Sequence, residues 1–527
     1  MKKGILFGCI VMTGLAAVGM YYLGLLGGKE NIRKAGDVPA VQAFREVDSP
    51  FTHMAHSDRF PFTGGTVLDI DDNGTMEIFI SGSKGQSNGV FTYLDGTWAD
   101  ITGQTGLAGD DAFFGVTSFD MDNDGDTDLV AARHDGVWIY TNTGGKFDGW
   151  KIAMTLPEHS FPVNVAITDL DRNGMPDLYV SNFVTPAHFA ASTFNKPEHA
   201  KPNTMLLNLG NGRYEDITER TGTGGTQNTF HSAFIDLDGN GHQDLILANN
   251  TGPVEIFKNM GRLHFEKHEV NSGFGYWMGL GCGDIDKDGD QDLYLSNIGS
   301  SIAGSLVRGD LREDQPMALE WLLLRNDGNW KFSNATTEYA LDGYGFAWGG
   351  VFEDINLDGD LDLLVAQNYI KWPGHTIRKL QNKAFLQFEQ NGKKGFYHLD
   401  HLGLNNPYYG QSPLIVDINN DAKPDVVWLN MNGPARVLIN NSGNNSVKII
   451  VQDNLEYLGA QIVLETENGR SYTRQITAAI GMATDQTPNV FFGLGQEDTV
   501  KAVHITKSNG VKQVLINPGH EPTITLR

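Results

Sequence analysis

Asp120-Met121-Asp122-Asn123-Asp124-Gly125-Asp126-Thr127-Asp128-Leu129-Val130-Ala131 is the stretch on which the reading of this chain turns. Oxygen-bearing side chains stand at positions 1, 3, 5 and 9. They converge only if the backbone turns sharply between positions 5 and 9, and glycine at position 6 permits that turn. A set of carboxylates is the donor chemistry that a hard divalent cation prefers, with about 6–8 oxygens at ~2.3–2.6 Å for Ca2+. The apolar run that follows, bounded by turn residues, reads as a buried strand.

The pattern recurs, seven copies in all. The first holds Asp69, Asp71, Asn73 and Glu77, and the second Asp120, Asp122, Asp124 and Asp128. The third holds Asp169, Asp171, Asn173 and Asp177; the fourth, Asp236, Asp238, Asn240 and Asp244. The fifth holds Asp284, Asp286, Asp288 and Asp292, and the sixth Asp354, Asn356, Asp358 and Asp362. The seventh holds Asp417, Asn419, Asp421 and Asp425, with Ala422 where the others have glycine. That loop is expected to be the weakest site or a strained one. An EF-hand would place a bidentate Glu at position 12, opening a helix. Here position 12 is Ile80, Ala131, Val180, Leu247, Leu295, Val365 or Trp428, none of which ligates calcium. Each loop therefore joins two strands. The ligand positions take over a third of the 64 acidic residues, and without a cation each cluster would repel itself. Up to seven Ca2+ are expected, offsetting over half of the formal charge of −25.

Successive first aspartates lie 51, 49, 67, 48, 70 and 63 residues apart. Periods near 40–50 with several strands each point to a β-propeller. The second period shows four strand-like stretches, Phe114–Phe119, Leu129–Arg133, Val137–Thr141 and Lys146–Ala153. The expected fold is all-β, a seven-bladed β-propeller over residues 46–442; six or eight blades also fit these periods. A closed ring removes exposed strand edges. The longer periods carry extra residues at 182–204, 297–320 and 369–384, on the face opposite the loops. The innermost strands begin on that face with Phe113, Pro162, His231, Trp277, Trp348 and Tyr409. Of these, Phe113, His231, Trp277, Trp348 and Tyr409 are the candidates for a ligand-binding funnel. The alternative is that they pack blade against blade.

Both ends differ from the repeat. Lys2 and Lys3 precede 25 uncharged residues, Gly4 to Gly28, about 37 Å as a helix and long enough to span a bilayer. Residues 1–28 are expected to be a transmembrane helix or a signal segment, with residues 4–28 in the membrane, and residues 29–45 a linker. The bulk would then be periplasmic or extracellular. From residue 443 to 527 the repeat gives way to six strand-like stretches, with Asn468-Gly469 and Asn509-Gly510 as two-residue hairpin turns. This tail is expected to be a small antiparallel β domain.

The loops and their following strands resemble FG-GAP/VCBS repeats, the calcium-binding blades of integrin α-chain propellers. The tail is similar to the ASPIC/UnbV domain of cartilage-acidic-protein-like proteins, on Leu458-Gly459-Ala460, Gly469, Gly481, Gln486, Phe492-Gly493-Leu494-Gly495 and Ser508-Asn509-Gly510. Thr506-Lys507 stand where the family often has Trp-Pro. The resemblance implies extracellular, calcium-dependent binding or adhesion, with a protein or glycan as partner.

The acidic balance argues against a nucleic-acid partner. No Gly-x-Ser-x-Gly, His-Glu-x-x-His or phosphate-binding glycine loop occurs. His53, His56, His188 and His199 read as surface or packed histidines rather than zinc ligands. Two functions remain: a membrane-tethered binding, adhesion or scaffold module, and an enzyme acting on a polysaccharide or small metabolite in the funnel.

Overall fold

The computed structural model describes residues 44–54, 62–302, 304–368, 380–390, 392–398, 403–496, 498–516, 518 and 521–526. The proposed anchor at residues 1–28, most of the linker, His56 and much of the third insertion lie outside these. Among the described residues no helix is long and apolar enough to cross a membrane.

The apolar runs flanking each acidic loop form antiparallel pairs whose residues are almost all buried. In the second repeat the strands are Phe113–Phe119, Asp128–Arg133, Gly136–Thr143 and Lys146–Lys151, paired in that order. Six sheets with this four-strand path follow one another along the chain, and the fourth gains a further strand, Gly275–Tyr276, on Asp244–Gly252. A seventh uses Gly410–Val416, Asp425–Asn430 and Arg436–Ile439, and takes its outermost strand from Arg45–Val47. The innermost strands lie side by side in chain order, and Gly410–Val416 also lies against Gly65–Leu68. The arrangement is all-β and propeller-like. Sequence reading had put Arg45 at the end of the linker. Pairing of Arg45 with Ile439 draws it into the sheet instead.

The tail packs two sheets over an apolar core that includes Tyr457, Ile462, Leu464, Phe492, Val503 and Ile505. One sheet runs Val490–Gly495, Asn445–Ile450, Thr523–Thr525, and the other Ser471–Gln475, Gln461–Thr466, Val500–Thr506, Lys512–Ile516. Its two glycine hairpins differ from the expected form. Thr466 N–H donates to Arg470 O and Lys507 N–H to Val511 O, closing three-residue loops. Only the glycines are left-handed, with φ of 80° at Gly469 and 83° at Gly510. A two-residue type I′ turn would need the asparagine left-handed as well.

The tail sits on the face that carries the acidic loops. Asp120 N–H donates to Asp453 O (2.9 Å), Gln461 Nε2 to Gly289 O (3.1 Å), and Gly495 N–H to Leu357 O (2.9 Å). Gln475 clasps Asp236 on both sides, accepting from its N–H and donating to its carbonyl. Glycine at 493 follows from this docking. A Cβ there would meet Asp354 Oδ2 at 2.1 Å and the Leu357 backbone at 2.4 Å.

Between the strands Ser471–Gln475 and Val490–Gly495 the tail sends a loop in among the innermost strands. Gly481 exchanges both backbone hydrogen bonds with Leu280. Gln411 Nε2 donates to Met482 O (3.1 Å), Asp485 N–H to Gly65 O (3.2 Å), and Ser118 N–H to Asp485 Oδ2 (3.1 Å). Residues 478–485 of this loop are all buried.

Candidate metal centres

All seven acidic loops share one backbone. Positions 4 and 6 are left-handed throughout, from Asp72 (φ 55°) and Gly74 (82°) to Asn420 (58°) and Ala422 (63°). Alanine at 422 thus occupies a conformation that favours glycine. The turn is held from within. Asp69 accepts the Asn73 N–H at Oδ1 (3.0 Å) and the Gly74 N–H at Oδ2 (2.7 Å). The position-9 acid joins the loop to the sheet: Asp128 accepts from Met121 N–H (2.8 Å) and from Asn142 N–H (2.6 Å).

In the first five loops three carboxylates converge, with ligand oxygens within 4.8 Å of one another. They are Asp69, Asp71 and Glu77; Asp120, Asp122 and Asp128; Asp169, Asp171 and Asp177; Asp236, Asp238 and Asp244; and Asp284, Asp286 and Asp292. Asp120 Oδ1 and Asp286 Oδ1 are buried with no hydrogen-bond partner among the described residues. A buried carboxylate oxygen without a donor is costly, and a divalent cation would supply the missing positive charge. These five clusters fit a metal ion. In the fourth, Asp238 Oδ2 also meets Lys258 Nζ and Trp330 Nε1, both at 2.8 Å.

The sixth and seventh loops are built differently. With Asn at position 3, the amide nitrogen donates to the position-5 acid: Asn356 to Asp358 (2.9 Å) and Asn419 to Asp421 (3.2 Å). In the seventh a lysine from the tail also enters: Lys448 Nζ lies 2.6 Å from Asp417 Oδ2.

Burial governs the titration of the position-9 acids. It pushes Glu77, Asp128 and Asp177 up to about 7, and Asp244 and Asp292 up to about 8, against opposition from their backbone N–H donors. Groups raised in the folded state stabilise it below their unfolded values near 4, and that contribution is lost as pH climbs through 7–8. Metal-stripped protein should therefore melt at progressively lower temperature as pH rises from 5 to 8. Calcium affinity should strengthen over the same window, because binding releases those protons. Thermal scans of stripped protein across pH, with calorimetric calcium titrations at pH 6 and 8, test both; a melt that rises with pH in stripped protein contradicts this.

The funnel candidates lie largely inside the fold. Phe113, His231, Trp277 and Trp348 are at most 2% exposed, and Tyr409 is half-buried. His231 Nε2 lies 2.5 Å from Ala479 O, so Nε2 carries the proton, and burial lowers its pKa to about 4. Trp348 meets Phe62 and Phe230 edge-on, in one buried cluster with Met482 of the tail. The tail loop and these aromatics fill the space that the sequence reading left as a funnel. His53 and His199 are buried, next to Met431 O and Asn228.

Sequence reading missed a set of amides. Asn142, Asn208, Asn259, Asn326, Gln387 and Asn440 each present their backbone N–H to the position-9 acid of their own sheet. Four side chains then reach back to position 2 of the preceding loop: Asn142 to Ile70 O, Asn326 to Leu237 O, Gln387 to Ile285 O and Asn440 to Ile355 O. The signal was present as a recurrent Asn-x-Gly, as in Asn142-Thr143-Gly144 and Asn208-Leu209-Gly210.

Models of known families match two parts of the chain. The FG-GAP-like repeat matches residues 69–131, 120–180 and 236–295, and ASPIC and UnbV matches residues 451–527. The chain carries FG-GAP-like repeats and an ASPIC/UnbV domain. The matched repeats hold the first five loops, the same five whose carboxylates converge. Among curated proteins, cartilage acidic protein 1 of Xenopus tropicalis is 24% identical over 350 residues, covering 60% of this chain and 48% of that protein. The Homo sapiens protein of that name is 22% identical over 344 residues, covering 60% and 47%. The chain thus spans about half the length of the curated relatives it matches. Among solved structures, the V. cholerae biofilm matrix protein Bap1 covers 93% of this chain and 62% of its own, with 10% identity and a TM-score of 0.33. The ASPIC/UnbV residues quoted above now have places. Gly481 and Gln486 lie in the central loop, and Gly493 and Ser508 lie against the sixth and fourth acidic loops.

Proposed function

We propose that this chain is a membrane-tethered, extracytoplasmic calcium-binding propeller acting as a binding, adhesion or scaffold module for a protein or glycan. The seven sheets are the blades of a closed ring, residues 4–28 are its anchor, and calcium rigidifies one face. The carrying observation is the five-fold convergence of three carboxylates on loops of identical backbone. Hard oxygen donors at this density select calcium over softer metals. With the centre of the ring filled by the tail loop, the partner surface is the rim opposite the tail. There the two described insertions are knitted together: Asp310 accepts from Phe194 N–H (2.6 Å) and Asn195 N–H (3.2 Å). A rim of loops on a rigid scaffold is where such modules place recognition.

Native mass spectrometry of the chain in calcium tests the metal reading. It should show about five ions per chain, and Asp236→Asn should lose one. No calcium on the wild type, or an unchanged count in the variant, overturns it.

A further inference from the structure

The seventh acidic loop has the backbone of the others but a different occupant. Its position-1 acid, Asp417, is fully buried and accepts the Asp421 N–H (3.0 Å), the Ala422 N–H (2.9 Å) and Lys448 Nζ (2.6 Å). Lys448 belongs to the tail, and its side chain is only 4% exposed. It is mounted rigidly. Its strand, Asn445–Ile450, is the middle one of its sheet, with Lys448 registered to Phe491 on one side and Thr523 on the other. Lys448 N–H also donates to Pro522 O (2.8 Å).

Among the described residues no lysine or arginine forms an ion pair with the position-1 acid of the first five loops, where three carboxylates converge; Arg474 of the tail acts on Asp284 through its charge alone. In the seventh, Asn419 replaces the position-3 acid and turns its amide onto Asp421, and Ala422 replaces the glycine. Two features that suit a free cation are thus missing at the loop whose position-1 acid the chain pairs with a cation of its own; the Lys258 ammonium of the fourth loop meets the position-3 acid instead. The tail then closes over the pair, with Ser446 Oγ donating to Ala422 O (2.7 Å).

We infer that the seventh loop takes no metal: the Lys448 ammonium stands in for the ion, and the buried Lys448–Asp417 pair is a calcium-independent clamp holding the tail to the last sheet. This rests on the calcium reading of the other loops. An ammonium is a point charge with three donors, so it can satisfy a carboxylate that would otherwise face a cation. A buried carboxylate stripped of its partner is strongly destabilising, so the pair also fixes the register of the two domains.

Calcium counting by native mass spectrometry on the full chain tests the clamp. Asp417→Asn should keep the wild-type calcium count, whereas Asp236→Asn should lose one ion. Lys448→Met should gain one ion, most clearly when combined with Ala422→Gly, because the freed loop then presents its carboxylates to solvent calcium. Loss of one calcium in Asp417→Asn overturns the inference and leaves the calcium reading intact. An unchanged count in Asp236→Asn overturns the calcium reading itself, and the inference with it. Should Lys448→Met fail to fold, the Asp417→Asn count alone decides, because a metal ligand and a lysine partner give opposite results there.

Discussion

Stripping divalent cations at pH 7.5 is expected to lower the melting temperature by ~10–15 °C. A ligand bound only by the folded state stabilises it by about 2.7 kcal/mol per site at one hundred times its dissociation constant. Five independent loops reach ~13 kcal/mol on that basis. Unfolding entropy near 2.1 cal/mol/K per residue over ~450 folded residues converts this to about 1 °C per kcal/mol. The sign is fixed by the loops themselves. Each gathers three carboxylates into a small volume, and burial raises the innermost of them, so the metal-free state must either hold protons or bear the repulsion. Sheets and tail should melt together, because the tail contacts the second, fourth, fifth, sixth and seventh loops and inserts its own loop among the innermost strands. Differential scanning calorimetry with and without chelator reads the effect. A melt indifferent to EDTA would mean that the loops are Asx-type turns stabilised by backbone N–H groups alone.

How much of this could be read from the sequence depends on how local each feature is. The acidic loops and their flanking strands were legible because the motif fixes its own backbone within nine residues and recurs at a strand-compatible period. Phe113–Phe119 and Asp128–Arg133 fall within a residue of where the pattern put them. The outermost strand of the seventh sheet was not legible. It pairs Arg45 with Ile439 across about three quarters of the chain, and nothing in the local sequence of Arg45–Val47 announces that partner. Of the aromatic candidates at the starts of the innermost strands, Trp348 shares a central cluster with Phe62, Phe114 and Met482, whereas Phe113 and Trp277 pack in other clusters, and what fills the centre was not legible. The loop that fills it, Ala478–Asp485, is made of small and apolar residues up to its closing aspartate, with no periodic signal, and most of its surroundings come from other sheets. The same holds for Lys448. On a strand of the tail it reads as a solvent-facing lysine, and only the docking of two domains turns it toward Asp417.

Asp485→Ala is expected to cost about 3–5 kcal/mol and to loosen the central loop. Asp485 is 2% exposed and organises that loop from inside. Its Oδ1 accepts the N–H groups of Ala479 (2.7 Å) and Gln486 (2.9 Å), and Oδ2 accepts the N–H of Ser118 on the second innermost strand (3.1 Å). Alanine leaves three buried donors without acceptors, at about 1–3 kcal/mol each. Part of that is returned. Burial raises the carboxyl to about 7, and the neighbouring Asp453 is raised by burial and by the charge on Asp485, so removing Asp485 relieves a strained pair. Asp485→Asn should cost roughly half as much, since its carbonyl oxygen can keep the two bonds within the loop while the amide faces the Ser118 N–H. Thermal denaturation of the three proteins ranks them, and limited proteolysis locates the change. The alanine variant should become cleavable within residues 477–489 before the sheets unfold, because the loop's remaining ties, such as Gly481 to Leu280 and His231 to Ala479 O, then act without the carboxylate that holds its turn closed. Equal melting and equal protection of wild type and Asp485→Ala would show that shape and apolar burial alone seat the loop.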